Sequence, residues 1–182
     1  GPRHAAELGI AAIYQHVTCY PDLTVTENIF MGHERVEKGT RRLLWKEMHE
    51  EAQRLLDELG ADFHSRMTMG ALSVAQQQIV EIAKALSANA RIIIMDEPTA
   101  ALTVRECEQL YAITERLRAG GASIIFISHR FEDMYRLADN VTVFRDGKYI
   151  GTWGVHDISN KDLIVAMVGR EVTQLFPKKQ TQ

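Results

Sequence analysis

The sequence is poor in the residues that staple a chain, span a bilayer or grip a polyanion. Its two cysteines, Cys19 and Cys107, stand far apart and outside any CxxC pattern, so neither a disulfide framework nor a zinc knuckle has support. They are expected to be free thiols in a reducing cytoplasm. The apolar runs, such as Ile92 to Met95 and Ser123 to Ile127, fall far short of the roughly 18 residues that suggest a membrane span. A basic surplus is also missing: Lys and Arg total 21 against 24 Asp and Glu, a net charge of −3, which disfavours a nucleic-acid grip built on bulk charge. No HExxH metal pattern exists, because His49-Glu50-Glu51 continues to Ala52 and Gln53. The opening Gly1-Pro2-Arg3-His4 lacks a signal-peptide pattern; Gly-Pro could equally be a cleavage scar, and the absence of an initiating Met hints at a start inside a longer protein.

What remains is 182 residues with 46% apolar content, about the size of one domain and enough to fill a core. Gly9 to Tyr14 is a short apolar run expected to be a strand, followed by a turn around Pro21. Thr24 and Glu27 are spaced as a capping box, which predicts a helix from about Val25. Trp45 to Leu59 places Met48, Ala52, Leu55, Leu56 and Leu59 on one helical face, and Ser73 to Ser87 does the same with Ala75, Ile79, Ile82, Ala83 and Leu86. Gly60 to Gly70 connects the two.

From Arg91 the pattern changes. The unbroken run Ile92 to Met95 predicts a central parallel strand covered on both faces, and Ser123 to Ile127 a second buried strand. Between them Thr103 and Glu106 open a helix with Leu110, Ile113 and Leu117 on one face, closed by Gly120-Gly121. Phe131 to Ala138 is a short helix, and Asp146-Gly147 between Val141 to Arg145 and Lys148 to Trp153 is a hairpin signal. Strand, helix and strand in this order predict a parallel α/β sheet with right-handed crossovers and an antiparallel ending. The tail after Gly169 is polar and reads as a linker.

Four places carry candidate chemistry. Asp96 and Glu97 directly follow four buried residues at a strand end, where ligands collect in open parallel sheets. One acid there can hold a hard divalent cation and the next can orient or deprotonate a water, although a strand ending in a polar turn at Pro98 looks the same. Ser73, with Val74, Ala75 and Gln76, begins a long helix, whose free amides and positive dipole end suit a phosphate. On that segment alone, a plain capping box from Ser73 to Gln76 explains the residues as well. His129 follows the second buried strand and so shares the sheet edge with Asp96 and Glu97. Gln15 lies just past the first strand, where its amide could reach the same crevice.

The ordered set of Gln15, the Ser73 helix start, Asp96-Glu97 and His129 resembles the nucleotide-binding domain of ATP-binding cassette (ABC) transporters. The wording LSVAQQQIVEIAKALS, MDEPTAALT, ISHRFEDMYRLADNVTVFRDGKYIGT and MVGRE is similar to monosaccharide-uptake cassettes of the ribose, xylose and galactose type, in particular the first of their two fused cassettes. The resemblance implies an α/β fold, an incomplete P-loop NTPase (RecA-like) parallel sheet with a helical subdomain insert. Residues 1–16 and 88–170 would form the partial ATPase core, 17–87 the Q-loop and helical signature subdomain, and 171–182 a linker.

It implies ATP and Mg²⁺ as cofactors, with Gln15 as the Q-loop glutamine sensing the ion and the attacking water. Asp96 would hold the ion through water, Glu97 would be the catalytic base and His129 the switch histidine. Ser73, Val74, Ala75 and Gln76 would bind ATP held on a second, fused or dimeric cassette. The further partners implied are transmembrane permease subunits, which the segment from Gln15 to Met31 would face, and indirectly a periplasmic or extracellular sugar-binding protein, with no nucleic acid. The implied location is peripheral, on the cytoplasmic face of the cell membrane.

Val74-Ala75 stand where the common signature has two glycines, and Thr103 stands where many cassettes have an aspartate. The glycine-rich phosphate loop G-x-x-x-x-G-K-[ST] is not in the sequence: Gly147-Lys148 runs on to Tyr149, and Lys38-Gly39-Thr40 has the wrong order. Two readings follow: part of an ATP-hydrolysing cassette of a monosaccharide importer, inactive by itself, or a nucleotide-incompetent cassette that only docks and assembles. In either case the sheet is expected to expose apolar surface at its edge.

Overall fold

The computed structural model describes residues 1–14 and 18–169. Its elements run α1 (Pro2–Glu7), β1 (Ile10–Ile13), α2 (Val25–Phe30), α3 (Trp45–Leu59), a single 3₁₀ turn (Met69–Ala71), α4 (Val74–Ser87), β2 (Ile92–Asp96), α5 (Val104–Ala119) and β3 (Ser123–Ile127), followed by α6 (Phe131–Leu137), β4 (Asn140–Arg145), β5 (Lys148–Gly154) and α7 (Asn160–Val168). They fall into two compact units that divide between His129 and Arg130.

In the first unit three strands form a parallel sheet in the order β1-β2-β3, with Ile13 beside Met95 and Met95 beside Phe126. Side chains alternate across a strand, so positions 11 and 13, 93 and 95, and 124 and 126 share one face. That face joins the apolar sides of α2, α3, α4 and α5 in one core, built around Ile13, Ile93, Met95, Phe30, Leu56, Ile82 and Ile113. Three of the helices open as their sequences predict. Thr24, Ser73 and Thr103 each accept a backbone N–H from the residue three positions on, and each donates its own backbone N–H in return to the side-chain oxygen of Glu27, Gln76 or Glu106. Gly60 ends α3 with φ +73, a left-handed conformation that glycine adopts without penalty.

The opposite face corrects two expectations. Neither β2 nor β3 is covered on both sides: Ile92 and Ile94 are half-buried, while Ile125 is 51% and Ile127 47% exposed. Helices α2 to α5 pack on one face, so an apolar run that reads as doubly buried is only partly covered on the other. The apolar exposure that is present lies on a face of the sheet, at Ile125 and Ile127.

The second unit has its own small core of Val143, Ile158 and Leu163, flanked by Phe131, Met134, Trp153 and Ala166. Its hairpin β4-β5 turns at Asp146 and Gly147, both at positive φ (52° and 71°), as a two-residue type I′ turn requires. The hairpin is a separate two-stranded sheet and does not extend the parallel one, a further correction to the expected antiparallel ending. Among the described residues, no helix is long and apolar enough to cross a membrane. The tail expected as a linker, residues 171–182, lies outside the described residues.

Candidate active site

Strands β2 and β3 end side by side, with Asp96 paired to Ile127. Glu97 then leaves the strand with φ +49, a left-handed conformation that costs a non-glycine residue about 1–2 kcal/mol. Strain of this kind persists where surrounding contacts over-determine it. Here the Glu97 N–H donates to the Ile127 carbonyl at 2.9 Å, and the turn behind it closes through Ala100 N–H to the Glu97 carbonyl.

The result is a contact that strand-end positions alone do not specify. His129 Nδ1 lies 2.9 Å from Glu97 Oε1, with the Glu97 side chain 20% and the His129 side chain 73% exposed. A carboxylate oxygen accepts, so the proton between them sits on Nδ1, and Nε2 is left as the unpaired ring nitrogen. The second carboxylate oxygen, Glu97 Oε2, is buried and makes no hydrogen bond among the described residues. A buried acceptor without a partner is costly, and at the end of a parallel strand it points to chemistry with something outside the protein.

Ser73 is brought to the start of α4 as expected, but in a role local to the helix. Its Oγ accepts the Gln76 N–H at 3.3 Å, its own N–H donates to Gln76 Oε1 at 3.0 Å, and Gln76 Nε2 donates to Asp62 Oδ1 at 3.0 Å. Val74 is exposed and Ala75 buried. Among the described residues this helix start makes no hydrogen bond with Glu97 or His129. Gln15 lies outside the described residues.

Sequence reasoning missed Gln78. It is buried on α4, its Nε2 donates to the Pro98 carbonyl at 2.7 Å, and its Oε1 is, like Glu97 Oε2, buried without a partner among the described residues. The same helix that Ser73 caps therefore holds the turn that presents Glu97. A signal was available: Gln78 falls three residues after Ala75 and four before Ile82, so a polar residue occupies the core stripe of the helix.

A hard divalent ion would find Asp96 and Glu97 adjacent at the strand end. No group of three or more His, Cys, Asp or Glu side chains among the described residues is arranged to hold a metal. That donor set suits Mg²⁺, which keeps most of its waters and takes one or two carboxylates together with substrate phosphates.

The sequence model of the family described as ABC transporter matches residues 2–100, more than half of the chain. This chain belongs to the ABC transporter family. Its similarity to individual relatives runs the length of the sequence. A ribose import ATP-binding protein of Rhizobium meliloti (strain 1021) is 45% identical over 177 residues, 97% of this chain and 35% of the relative. One from Roseobacter denitrificans is 46% identical over 181 residues, 98% of this chain and 35% of the relative. The chain thus spans about a third of the length of the curated relatives it matches.

Among solved structures, an ATP-binding cassette of an ABC transporter superposes with a TM-score of 0.74 at 25% identity, covering 92% of this chain and 70% of that one. A nucleotide-free cassette gives 0.70 at 24% identity, covering 84% and 64%. The fold of this ABC-family chain is accordingly α/β, a P-loop NTPase type of parallel sheet with helices.

Proposed function

We propose that this chain is part of the ATP-binding subunit of a monosaccharide importer, in which ATP hydrolysis drives uptake, and that Glu97 is the base of that hydrolysis. The observation that carries the reading is the Glu97–His129 pair at the joined ends of β2 and β3, with Glu97 Oε2 buried and unpartnered. The similarity to ribose import proteins supports sugar as the cargo.

In this reading Glu97 Oε2 is the atom that accepts a proton from the attacking water. His129 donates Nδ1–H to the other oxygen, which fixes the plane of the carboxylate and leaves Nε2 to face the γ-phosphate. Asp96, and Gln15 beyond it, would hold Mg²⁺ through water, while Ser73, Val74, Ala75 and Gln76 would reach ATP carried by a second cassette. When bound, Mg-ATP supplies the scissile phosphoanhydride and an ion that neutralises charge on its phosphates. Residues 17–87 would act as the helical signature subdomain on an ATPase core of residues 1–16 and 88–170. Permease subunits would hold the assembly at the cytoplasmic face of the membrane, with a sugar-binding protein on the far side.

In the full-length protein carrying this segment, Glu97→Gln is expected to cut ATP turnover by about 10²–10⁴-fold while leaving ATP binding in place. Wild-type turnover by that variant would defeat the reading. The lack of a glycine-rich phosphate loop within these residues favours a second reading, a docking cassette without turnover. Sugar uptake that is indifferent to Glu97→Gln would support it. Titration of Mg-ATP into the 182-residue chain should show weak binding or none, since the cradle for the β- and γ-phosphates is not in its sequence.

A further inference from the structure

Between α2 and α3 the chain folds back on itself in a small antiparallel ribbon. Val36 is bridged to Leu43, the Glu37 N–H donates to the Arg42 carbonyl at 2.9 Å, and the Leu44 N–H donates to the Arg35 carbonyl at 2.9 Å. Val36 and Leu43 face each other across the ribbon, so their side chains lie on the same side of it. Both are exposed, Val36 by 49% and Leu43 by 41%, and Trp45, which opens α3, is 42% exposed.

The charge on this segment opposes that of the rest of the chain. Residues 33–47, the ribbon and the first residues of α3, contain Arg35, Lys38, Arg41, Arg42 and Lys46 against Glu34, Glu37 and Glu47, a local net charge of +2 in a chain whose total is −3. Two of the cations are engaged, Arg35 with Glu51 and Lys46 with Glu50. Glu37 is occupied by the Thr40 hydroxyl and Glu34 by the Gly32 N–H. Lys38, Arg41 and Arg42 make no ion pair among the described residues, and all three are exposed.

We propose that this ribbon and the start of α3 form a docking surface for the anionic headgroups of a phospholipid bilayer. Arg42 alternates to the side opposite Leu43, so the unpaired cations flank the ribbon, and a contact through its tip lets them meet lipid phosphates while the exposed Trp ring lies at headgroup depth. A protein partner with an acidic face could satisfy the same cations. A stable protein interface, however, engages roughly 20–30 residues a side, and this patch offers half a dozen. The size fits a weak, reversible attachment that orients a protein already near the membrane. The proposal deepens the peripheral location given above but does not depend on the catalytic assignment.

The test is flotation of the 182-residue chain with vesicles of phosphatidylcholine alone or with about one third phosphatidylglycerol. The three unpaired cations predict partitioning about a hundredfold stronger on the anionic vesicles, lost at about 0.5 M salt. Lys38→Glu/Arg41→Glu/Arg42→Glu should abolish the preference, and the milder triple change to Gln should do so without reversing charge. Binding should shift Trp fluorescence to the blue in the wild type but not in Trp45→Phe, which retains Trp153.

Equal binding to neutral and anionic vesicles, no binding at all, or retained binding by a folded triple variant would each overturn the proposal. So would loss of permease binding in detergent by the triple variant when the wild-type chain ignores vesicles, which would assign the patch to an acidic protein face. The two readings fail separately. Glu97→Gln should still bind vesicles, and in the full-length protein the triple variant should keep detergent-solubilised ATP turnover.

Discussion

The two faces of the parallel sheet are made of the same kinds of residue and meet different surroundings. Ile93 and Met95 point into the helices and are fully buried, while Ile125 and Ile127, one strand over and on the other face, are about half exposed. Apolar content therefore does not report cover by itself. What separates the faces is which one receives the stripes of α2 to α5, and that depends on long-range packing.

The sharpest test of this contrast is a matched pair of truncations. Ile93→Ala removes a side chain with no exposed surface from a packed core and should cost about 2–4 kcal/mol. Ile125→Ala should stay within about 1 kcal/mol, because half of its side chain is already in water. Urea unfolding of both variants measures the difference. Equal losses would mean that the open face is covered in solution, for example by a second copy of the chain, and the concentration dependence of unfolding would then reveal it.

What the sequence made legible was mostly local. The α3 stripe from Met48 to Leu59, the capping boxes at Thr24, Ser73 and Thr103, and the turn at Asp146-Gly147 were all readable, because each is fixed by residues within a turn or two of one another. α7 was overlooked although Ser159 and Asp162 signal its start, Ser159 Oγ accepting the Asp162 N–H. At the candidate site, the strand ends gave the location of Asp96, Glu97 and His129. The 2.9 Å pairing of His129 with Glu97, 32 residues apart, depends on strand register, which no local pattern contains. The Gln78 bond to Pro98 is hidden for the same reason. The open sheet face is not legible in the sequence, because the apolar run from Ile92 to Met95 is equally compatible with cover on one side or on both.

Gln78 also sharpens the comparison, since it is where the covering helices take hold of the turn that carries Glu97. Gln78→Leu deletes the bond to the Pro98 carbonyl, and it also removes the buried Oε1 that has no partner, so the two effects oppose each other. The expected net loss is about 1 kcal/mol, within the range for a single buried hydrogen bond. Amide exchange provides the more specific readout. The Glu97 and Ala100 N–H groups, which close the turn, should lose protection well before the core strands do. Protection unchanged at these two amides would show that the turn is held by its strand contacts alone.

The smallest effect concerns how the cover itself is fastened, where two of its helix starts differ in the group that reciprocates the cap. At α2 the cap is reciprocated by the carboxylate of Glu27, at α4 by the amide of Gln76. The Thr24 hydroxyl, and then its backbone N–H, hold the Glu27 carboxyl below its ordinary pKa of 4.5. A carboxyl with a lowered folded-state value contributes stability that is fully present above 4.5 and is lost as pH falls through the lower folded value. Thr24→Ala should cost about 1 kcal/mol at neutral pH, and the loss should shrink in part on acidification, because protonation of Glu27 weakens the bond it accepts from the Thr24 hydroxyl and leaves the Glu27 N–H bond to Thr24 Oγ1 in place. Ser73→Ala at α4 should cost a similar amount that changes less over that range, since neither Ser73 nor Gln76 titrates and the one carboxylate at this cap, Asp62, bonds only the far nitrogen of Gln76. Thermal unfolding of the two variants between neutral pH and about pH 3 separates them. A loss at Ser73 that varies with pH as much as that at Thr24, or a constant one at Thr24, would show that the acid sensitivity of the cover comes from somewhere other than the Glu27 cap.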